Sequence, residues 1–190
     1  AGLARRRRRR AVIELQRILR VVVDTLEGAG DRYVVVGSTA AAAWGVVRTT
    51  RDIDIVVVLA ADQAGSVLDS MAAAGLYVPA EDARAAVQGG GTFNVLDPDH
   101  GGKIDLFVID SGDAFTRSRL DRRIRADVFD VPCWVATAED VVLAKLRWRL
   151  DSRSEVQWRD CVEIAAVNDL DVAYLRRWAP VLGVGEDIEQ

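Results

Sequence analysis

Three aspartates set inside apolar, strand-like segments constrain this chain more than any other feature: Asp52 and Asp54 in RDIDIVVV, and Asp105 in KIDLFVI. Residues 53–59 and 104–109 are β-branched and apolar enough for a sheet interior. Asp52 and Asp54 are two apart, so on an extended strand their carboxylates point to the same face. Carboxylates forced together repel one another and resist desolvation unless a cation gathers them. The hard, oxygen-seeking cation that suits such a set is Mg²⁺ or Mn²⁺. Strand-end capping would account for Asp52 alone, but not for a same-face pair plus Asp105. Asp105 by itself could still be a core acid paired with Lys103 or an arginine.

A phosphate site is expected beside these acids. Tyr33 to Val36 reads as a short strand ending in Gly37-Ser38, and Thr39 to Trp44 then reads as a helix. Strand, Gly-Ser turn and helix N-terminus would present free backbone N–H groups to an anion. Gly37 would allow close approach of the backbone, and Ser38 adds a hydroxyl donor. Thirteen residues separate Ser38 from Asp52, room for one helix and a return into the acidic strand. Arg48 and Arg51 bracket Thr49-Thr50 just before that strand, where they either neutralise phosphate or offset the acids. Phosphate cradle, Asp-x-Asp and a third Asp on a later strand is the layout that metal-assisted nucleotidyl transfer needs. Further on, Ala138, Val141, Val142, Leu146 and Arg149 form a helical stripe that also contains Lys145. A lysine there needs an anionic partner, or else snorkels at the stripe's edge.

Length and hydropathy fit one packed unit. The 190 residues are 50% hydrophobic, and no internal repeat or linker divides them. The expected divisions are a catalytic core with a basic N-terminal arm over 1–135 and a helical part over 136–190 packed on it. The pattern predicts helix near 8–28, strand 32–37, helix 39–46, strand 53–59, helix 62–74, strand 92–96, strand 103–109 and helix 113–118. A strand near 125–135 and helices near 138–151, 155–166 and 171–182 complete it. Gln88 to Thr92 (QGGGT) and Asp97 to Gly102 (DPDHGG) read as loops. This order predicts an α+β (α/β) fold, a mixed β-sheet with helices on one side and a helical C-terminal part. Residues 11–26 are interrupted by charges and read as an amphipathic helix, not a leader; no apolar run spans a membrane, and a cytoplasmic setting is expected. Cys133 and Cys161 lie far apart without metal-ligand spacing, and His100 is the one histidine, in a polar turn. Structural zinc and hydrolase chemistry with a histidine base are thereby disfavoured.

Charge distribution points to partners. Removing the six arginines of Arg5 to Arg10 from a net charge of −4 leaves −10, a basic arm on an acidic body. Such a run suits nucleic-acid phosphates or is simply a solvated start. Arg147-Trp148-Arg149, Trp158-Arg159 and Arg176-Arg177-Trp178 interleave arginine with tryptophan, which suits phosphate contact and base stacking, although tryptophans at helical spacing commonly belong to a core. Arg117, Arg119, Arg122, Arg123 and Arg125 would either line an RNA path or form an exposed connector.

The spacing GS(x13)DID with IDL about fifty residues later resembles the polymerase-β-type nucleotidyltransferase superfamily. RTTRDIDIVV, FNVLDPDHGGKIDLFVI, TAEDVVLAKLRW and QWRDCVEIAAV resemble its AbiEii/MenT-like toxin branch, over roughly residues 33–182. The resemblance implies that Lys145 and Asp160 belong to the essential motifs; Asp160 would either orient Lys145 or an arginine, or be a solvated residue or a plain surface pair of the Arg159 type. It implies a nucleotidyltransferase fold in which Asp52, Asp54 and Asp105 hold Mg²⁺ (or Mn²⁺), with Asp105 also helping to deprotonate the acceptor. Gly37, Ser38, Arg48, Arg51 and Lys145 would face the NTP. The implied reaction moves an NMP to an acceptor hydroxyl, foremost a tRNA 3′ end, by the toxin of a pair with a cognate antitoxin. Nucleotidylation of a protein or small molecule, and a non-catalytic NTP-binding module, remain open alternatives.

Overall fold

The computed structural model describes residues 2–47, 52–109 and 112–189. Its first element is a long helix, α1 (Gly2–Ala29), which already includes the arginine run; the side chains of Arg5 to Arg10 lie outside the described residues. Leu15, Ile18, Leu19, Val22, Val23 and Leu26 recur at three- and four-residue steps and are all buried. That stripe docks the part of α1 from Leu15 to Leu26 on the rest of the fold.

Among the described residues six strands follow: β1 (Arg32–Val36), β2 (Ile53–Val58), β3 (Gly91–Leu96), β4 (Lys103–Val108), β5 (Ile124–Val128) and β6 (Val131–Val135), ordered β3-β4-β2-β1-β6-β5 in one mixed sheet. β1 pairs antiparallel with β2 and parallel with β6, while β2 and β4 run parallel. β3 and β5 close the two edges as antiparallel partners of β4 and β6. The fold is thus α+β, with a mixed sheet flanked by helices.

Helices on one side alone do not describe it, however. Tyr33, Val34 and Val35 are consecutive and all buried, as are Ile55, Val56 and Val57. Successive strand residues face opposite ways, so the central strands β1 and β2 are covered on both faces. The edge strand β3 instead alternates buried Phe93 and Val95 with exposed neighbours.

The connections depart from expectation at four places. Residues 80–89 form a helix, α4 (Ala80–Gly89), behind α3 (Ala64–Ala73); Ala83 and Ala86 supply its buried face, a stripe too small for hydrophobic periodicity to reveal. The expected glycine-rich loop accordingly shrinks to Gly90, since Gly89 ends α4 and Gly91 begins β3. The single strand expected over 125–135 is the β5–β6 hairpin, turned by Phe129 and Asp130 at φ of 49° and 58°. Left-handed turn residues are usually Asn or Gly, so Phe-Asp gave no warning. Finally α2 (Gly37–Ala43) starts two residues earlier than expected, directly at the end of β1.

The loop joining β3 to β4 is clasped to α1. Asp97 is buried and accepts hydrogen bonds from the His100 N–H (3.1 Å) and the Asp99 N–H (3.3 Å) and pairs with the His100 ring (3.2 Å), while Arg17 of α1 pairs with its other oxygen. Burial alone would raise the Asp97 pKa; the His100 and Arg17 contacts outweigh it and hold the carboxyl below the usual range. His100 is therefore a half-exposed turn residue that helps fix where β4 begins.

After α5 (Ala114–Arg122) and the hairpin come α6 (Ala138–Ser152), α7 (Glu155–Val167), α8 (Val172–Leu182) and a short α9 (Gly185–Ile188). Side-chain N-caps start three of the helices: Asp113 bonds the Thr116 N–H, Thr137 the Asp140 N–H and Asp171 the Tyr174 N–H. These helices meet α2 through Trp44, whose indole N–H donates to the Ala136 carbonyl (2.8 Å) and whose own carbonyl accepts from Asn168 (3.0 Å).

Candidate active site

The sheet register assembles the acids. Val36 lies opposite Asp54 on β2, Asp54 opposite Asp105 on β4, and Asp105 opposite Asn94 on β3. Residues level with one another on neighbouring strands share a face, so Asp54, Asp105 and Asn94 form one row at the end of β1 where α2 begins. Asn94 donates to Asp105 Oδ1 (2.7 Å). Lys103, two residues before Asp105 on the same face, donates to Asp105 Oδ2 (2.7 Å) and lies 3.4 Å from Asp52 Oδ2. Sequence reading offered Lys103 only as a possible mate of Asp105 and gave no signal for Asn94, whose place depends on the β3–β4 register.

Asp54 sits in a strongly perturbing environment. Burial first, then the charges of Asp105 and Asp52, push its carboxyl up to about 6, against the opposing pull of Lys103 and Lys145. A carboxyl destabilised by its neighbours in this way is one that a cation would relieve. Among the described residues no three acidic, histidine or cysteine side chains are already drawn together as a ligand set. Instead an ammonium bridges Asp52 and Asp105, which marks the place as one that suits positive charge. An all-oxygen donor set beside it fits Mg²⁺ or Mn²⁺ chemically.

Gly37 is dictated by Asp54. Its φ is +65°, and a Cβ there would lie 2.0 Å from Asp54 Oδ2. Gly37→Ala is therefore expected to displace the carboxylate and to lose about 1–2 kcal/mol for the left-handed backbone. A shift of that kind should lower any transfer rate by about a hundredfold, measured beside the denaturation midpoint. Full activity in that variant would disconnect Gly37 from the site.

Behind Gly37 and Ser38 lies a small cavity of about 60 Å³, walled also by Arg119, Asp140, Lys145, Trp148 and Gln157. This is well below the few hundred Å³ that enclose a whole ligand, so it can take a group of a nucleotide but not all of one. Since α2 has seven residues, any anion here would be held by individual donors and side chains. Larger hollows, of about 400 Å³ around Leu146, Trp158, Cys161 and Leu175 and about 280 Å³ between α3 and α4, contain none of the candidate residues.

Lys145 does not snorkel. It is 4% exposed and donates to Asp160 Oδ2 (2.7 Å) and Gln157 Oε1 (3.1 Å) from the facing helix α7; Asp160 itself is 1% exposed. Gln157 is one turn before Asp160 on the same side, a helical spacing that could have flagged it. Asp140, fully buried beside them, accepts from Tyr174 (2.7 Å) and Thr137 (2.9 Å). Burial raises its pKa despite these bonds.

Arg48 and Arg51 lie outside the described residues. Several arginines of 117–125 are engaged by the rest of the fold, although Arg117 and Arg125 remain exposed. Arg117 donates to the Gly112 carbonyl, Arg122 pairs with Glu139 and stacks on Tyr174 (3.8 Å), Arg123 and Arg125 stack on Trp134, and Arg125 pairs with Glu27. Of the interleaved tryptophans, Trp178 belongs to the core against Phe115, whereas Trp148 is 61% exposed at the cavity rim. Both cysteines are buried, and burial pushes their thiols up to about 11 (Cys133) and about 12 (Cys161), which leaves neither poised as a nucleophile.

A nucleotidyltransferase-like antigenic protein from Paracoccidioides brasiliensis superposes with a TM-score of 0.57 at 14% identity, covering 92% of this chain and 93% of that one. The fold is a nucleotidyltransferase fold. The antibiotic-resistance factor ANT(2'')-Ia (TM-score 0.49, 11% identity, 90% of this chain and 97% of that one) is also similar. So is the lincosamide adenylyltransferase LnuA (TM-score 0.49, 15% identity, 80% and 97%), solved with lincomycin bound. No family model and no curated protein matches the chain.

Proposed function

We propose that the chain transfers an NMP from an NTP to an acceptor hydroxyl. The observation that carries this reading is the row of Asp54 and Asp105, level on adjacent parallel strands, with Asp52 beside them and Gly37 packed against Asp54. Asp52, Asp54 and Asp105 are the residues that would hold Mg²⁺ or Mn²⁺. When bound, the cation would offset the triphosphate charge and polarise the α-phosphate. Ser38 offers its hydroxyl to a phosphate oxygen. Lys145, held in place by Asp160 and Gln157, sets a positive potential behind Ser38. The acceptor oxygen bonds to the α-phosphorus as the bond to the α–β bridging oxygen breaks; pyrophosphate leaves, and the hydroxyl proton passes to Asp105.

The finer reading rests on resemblance to the AbiEii/MenT-like branch: a tRNA 3′ end as acceptor, toxin action in the cytoplasm and a cognate antitoxin as partner. Among the described residues no helix is long and apolar enough to cross a membrane. One observation favours a second reading, a non-catalytic NTP-binding module: Lys103 already pairs with Asp105 and lies 3.4 Å from Asp52, offsetting one of their two charges.

Transfer of α-³²P from each of the four NTPs, with Mg²⁺, into total tRNA and into protein separates these readings, with Asp52→Ala run alongside. Label in tRNA that vanishes in the variant supports the proposal and identifies the nucleotide. Label confined to protein would shift the acceptor. No label, with NTP binding indifferent to Asp52→Ala, would leave the binding module.

A further inference from the structure

Among the described residues, four arginines have a buried Nε without a hydrogen-bond partner: Arg119, Arg122, Arg123 and Arg149. Three of them are anchored through their other nitrogens. Arg122 pairs with Glu139 (3.1 Å), Arg123 donates to the Leu120 carbonyl (2.6 Å) and Arg149 pairs with Asp187 (2.8 Å). Arg119 differs. Among the described residues its guanidinium makes no hydrogen bond or ion pair, only a stacking contact 5.4 Å from the centre of the Phe115 ring. The nearby acid that could have taken it, Asp140, has its two oxygens engaged by Tyr174 and Thr137.

A half-buried guanidinium without a mate is unfavourable unless something arrives to meet it. Burial indeed pulls its pKa down, while the charges of Asp140 and Asp113 pull the other way. Its place is informative, because it walls the small cavity together with Ser38 and Lys145. Lys145 already faces Asp160, so among the described residues that wall the cavity Arg119 is the cation whose hydrogen-bonding capacity is unused. Its planar fork matches two oxygens of a phosphate, and Phe115 fixes the plane.

We infer that Arg119 binds the polyphosphate of the nucleotide, gripping two non-esterified oxygens beside Ser38. This rests on the nucleotide reading above and adds a residue to it. The bland account, that Arg119 only stacks on Phe115 and balances Asp140, makes a different prediction.

Calorimetry with inorganic triphosphate and with each NTP, in Mg²⁺, should be run on the native chain, Arg119→Gln and Arg119→Lys. Arg119→Gln should weaken triphosphate and NTP binding alike by about 10- to 100-fold, the worth of a hydrogen-bonded charge. Arg119→Lys should recover part of that loss, because it keeps the charge but lacks the fork. Equal affinities in the native and Gln proteins would overturn the inference while leaving nucleotide binding intact. Should the Gln variant not fold, native-like affinity in Arg119→Lys would overturn the bidentate grip. A native chain that binds neither triphosphate nor any NTP would remove the proposed function as well.

Discussion

Asp54→Asn should reduce nucleotide transfer by about a thousandfold or more and, at the same time, make the metal-free protein melt higher. The first effect follows because the substitution removes one of the three acids that would hold the cation, whose contribution to the barrier is several kcal/mol. The second follows from the crowding of Asp54 by burial, Asp105 and Asp52. Its folded carboxyl holds a proton up to about pH 6, whereas the unfolded chain releases it in the ordinary carboxylate range. Below that range both states are protonated and nothing is lost. Between about pH 4 and pH 6 the unfolded state ionises first, so native stability falls, and the deficit persists above pH 6. Asparagine cannot ionise and escapes this decline. Partial solvent access trims the gain to about 1 kcal/mol. Thermal unfolding in EDTA across pH 4–8 should therefore show the two proteins diverging as pH rises, and Mg²⁺ should lift the native melting point selectively. Parallel pH profiles would refute this account of Asp54.

Lys145→Met should be the most destabilising single change, by about 3–5 kcal/mol, since it removes the ammonium that offsets the Asp160 carboxylate in a site 1% exposed. Replacing both partners, as in Lys145→Met with Asp160→Leu, removes two charges together and should restore much of the loss. The same double variant should regain no transfer, because the charge behind Ser38 is still missing. Chemical denaturation and label transfer, run on both singles and the double, separate the two contributions. Activity in the refolded double variant would confine the pair to a structural role.

What could be read from residue order follows a physical divide. The acidic strands and the helix carrying Lys145 announce themselves through short-range periodicity, and the structure has β2, β4 and α6 within a residue or so of expectation. The helix α4 escaped because its buried face is built from alanines, and the β5–β6 hairpin because Phe129-Asp130 is an atypical left-handed turn. In the site, the pairing of Asp54 with Asp105 was implied by two strand-borne motifs. Asn94 and Lys103 reach Asp105 only through strand register, which residue order does not display. Arg119 looked like one of five equivalent basic residues. Only packing shows that its neighbours are engaged while its own fork is open.

The parallel pairing of β2 with β4 has a further consequence during synthesis. Parallel neighbours need a long crossover, and here α3, α4 and β3 must all be made before Asp105 can join Asp54. Lys145 and its anchor Asp160 come later still. A nascent chain that has exposed only the Gly37–Asp54 half presents a single Asp-x-Asp strand with no partner row and no cation behind Ser38. Any transfer would thereby be deferred until nearly all the elements described here have left the ribosome, and fragments cut short before α7 should be silent.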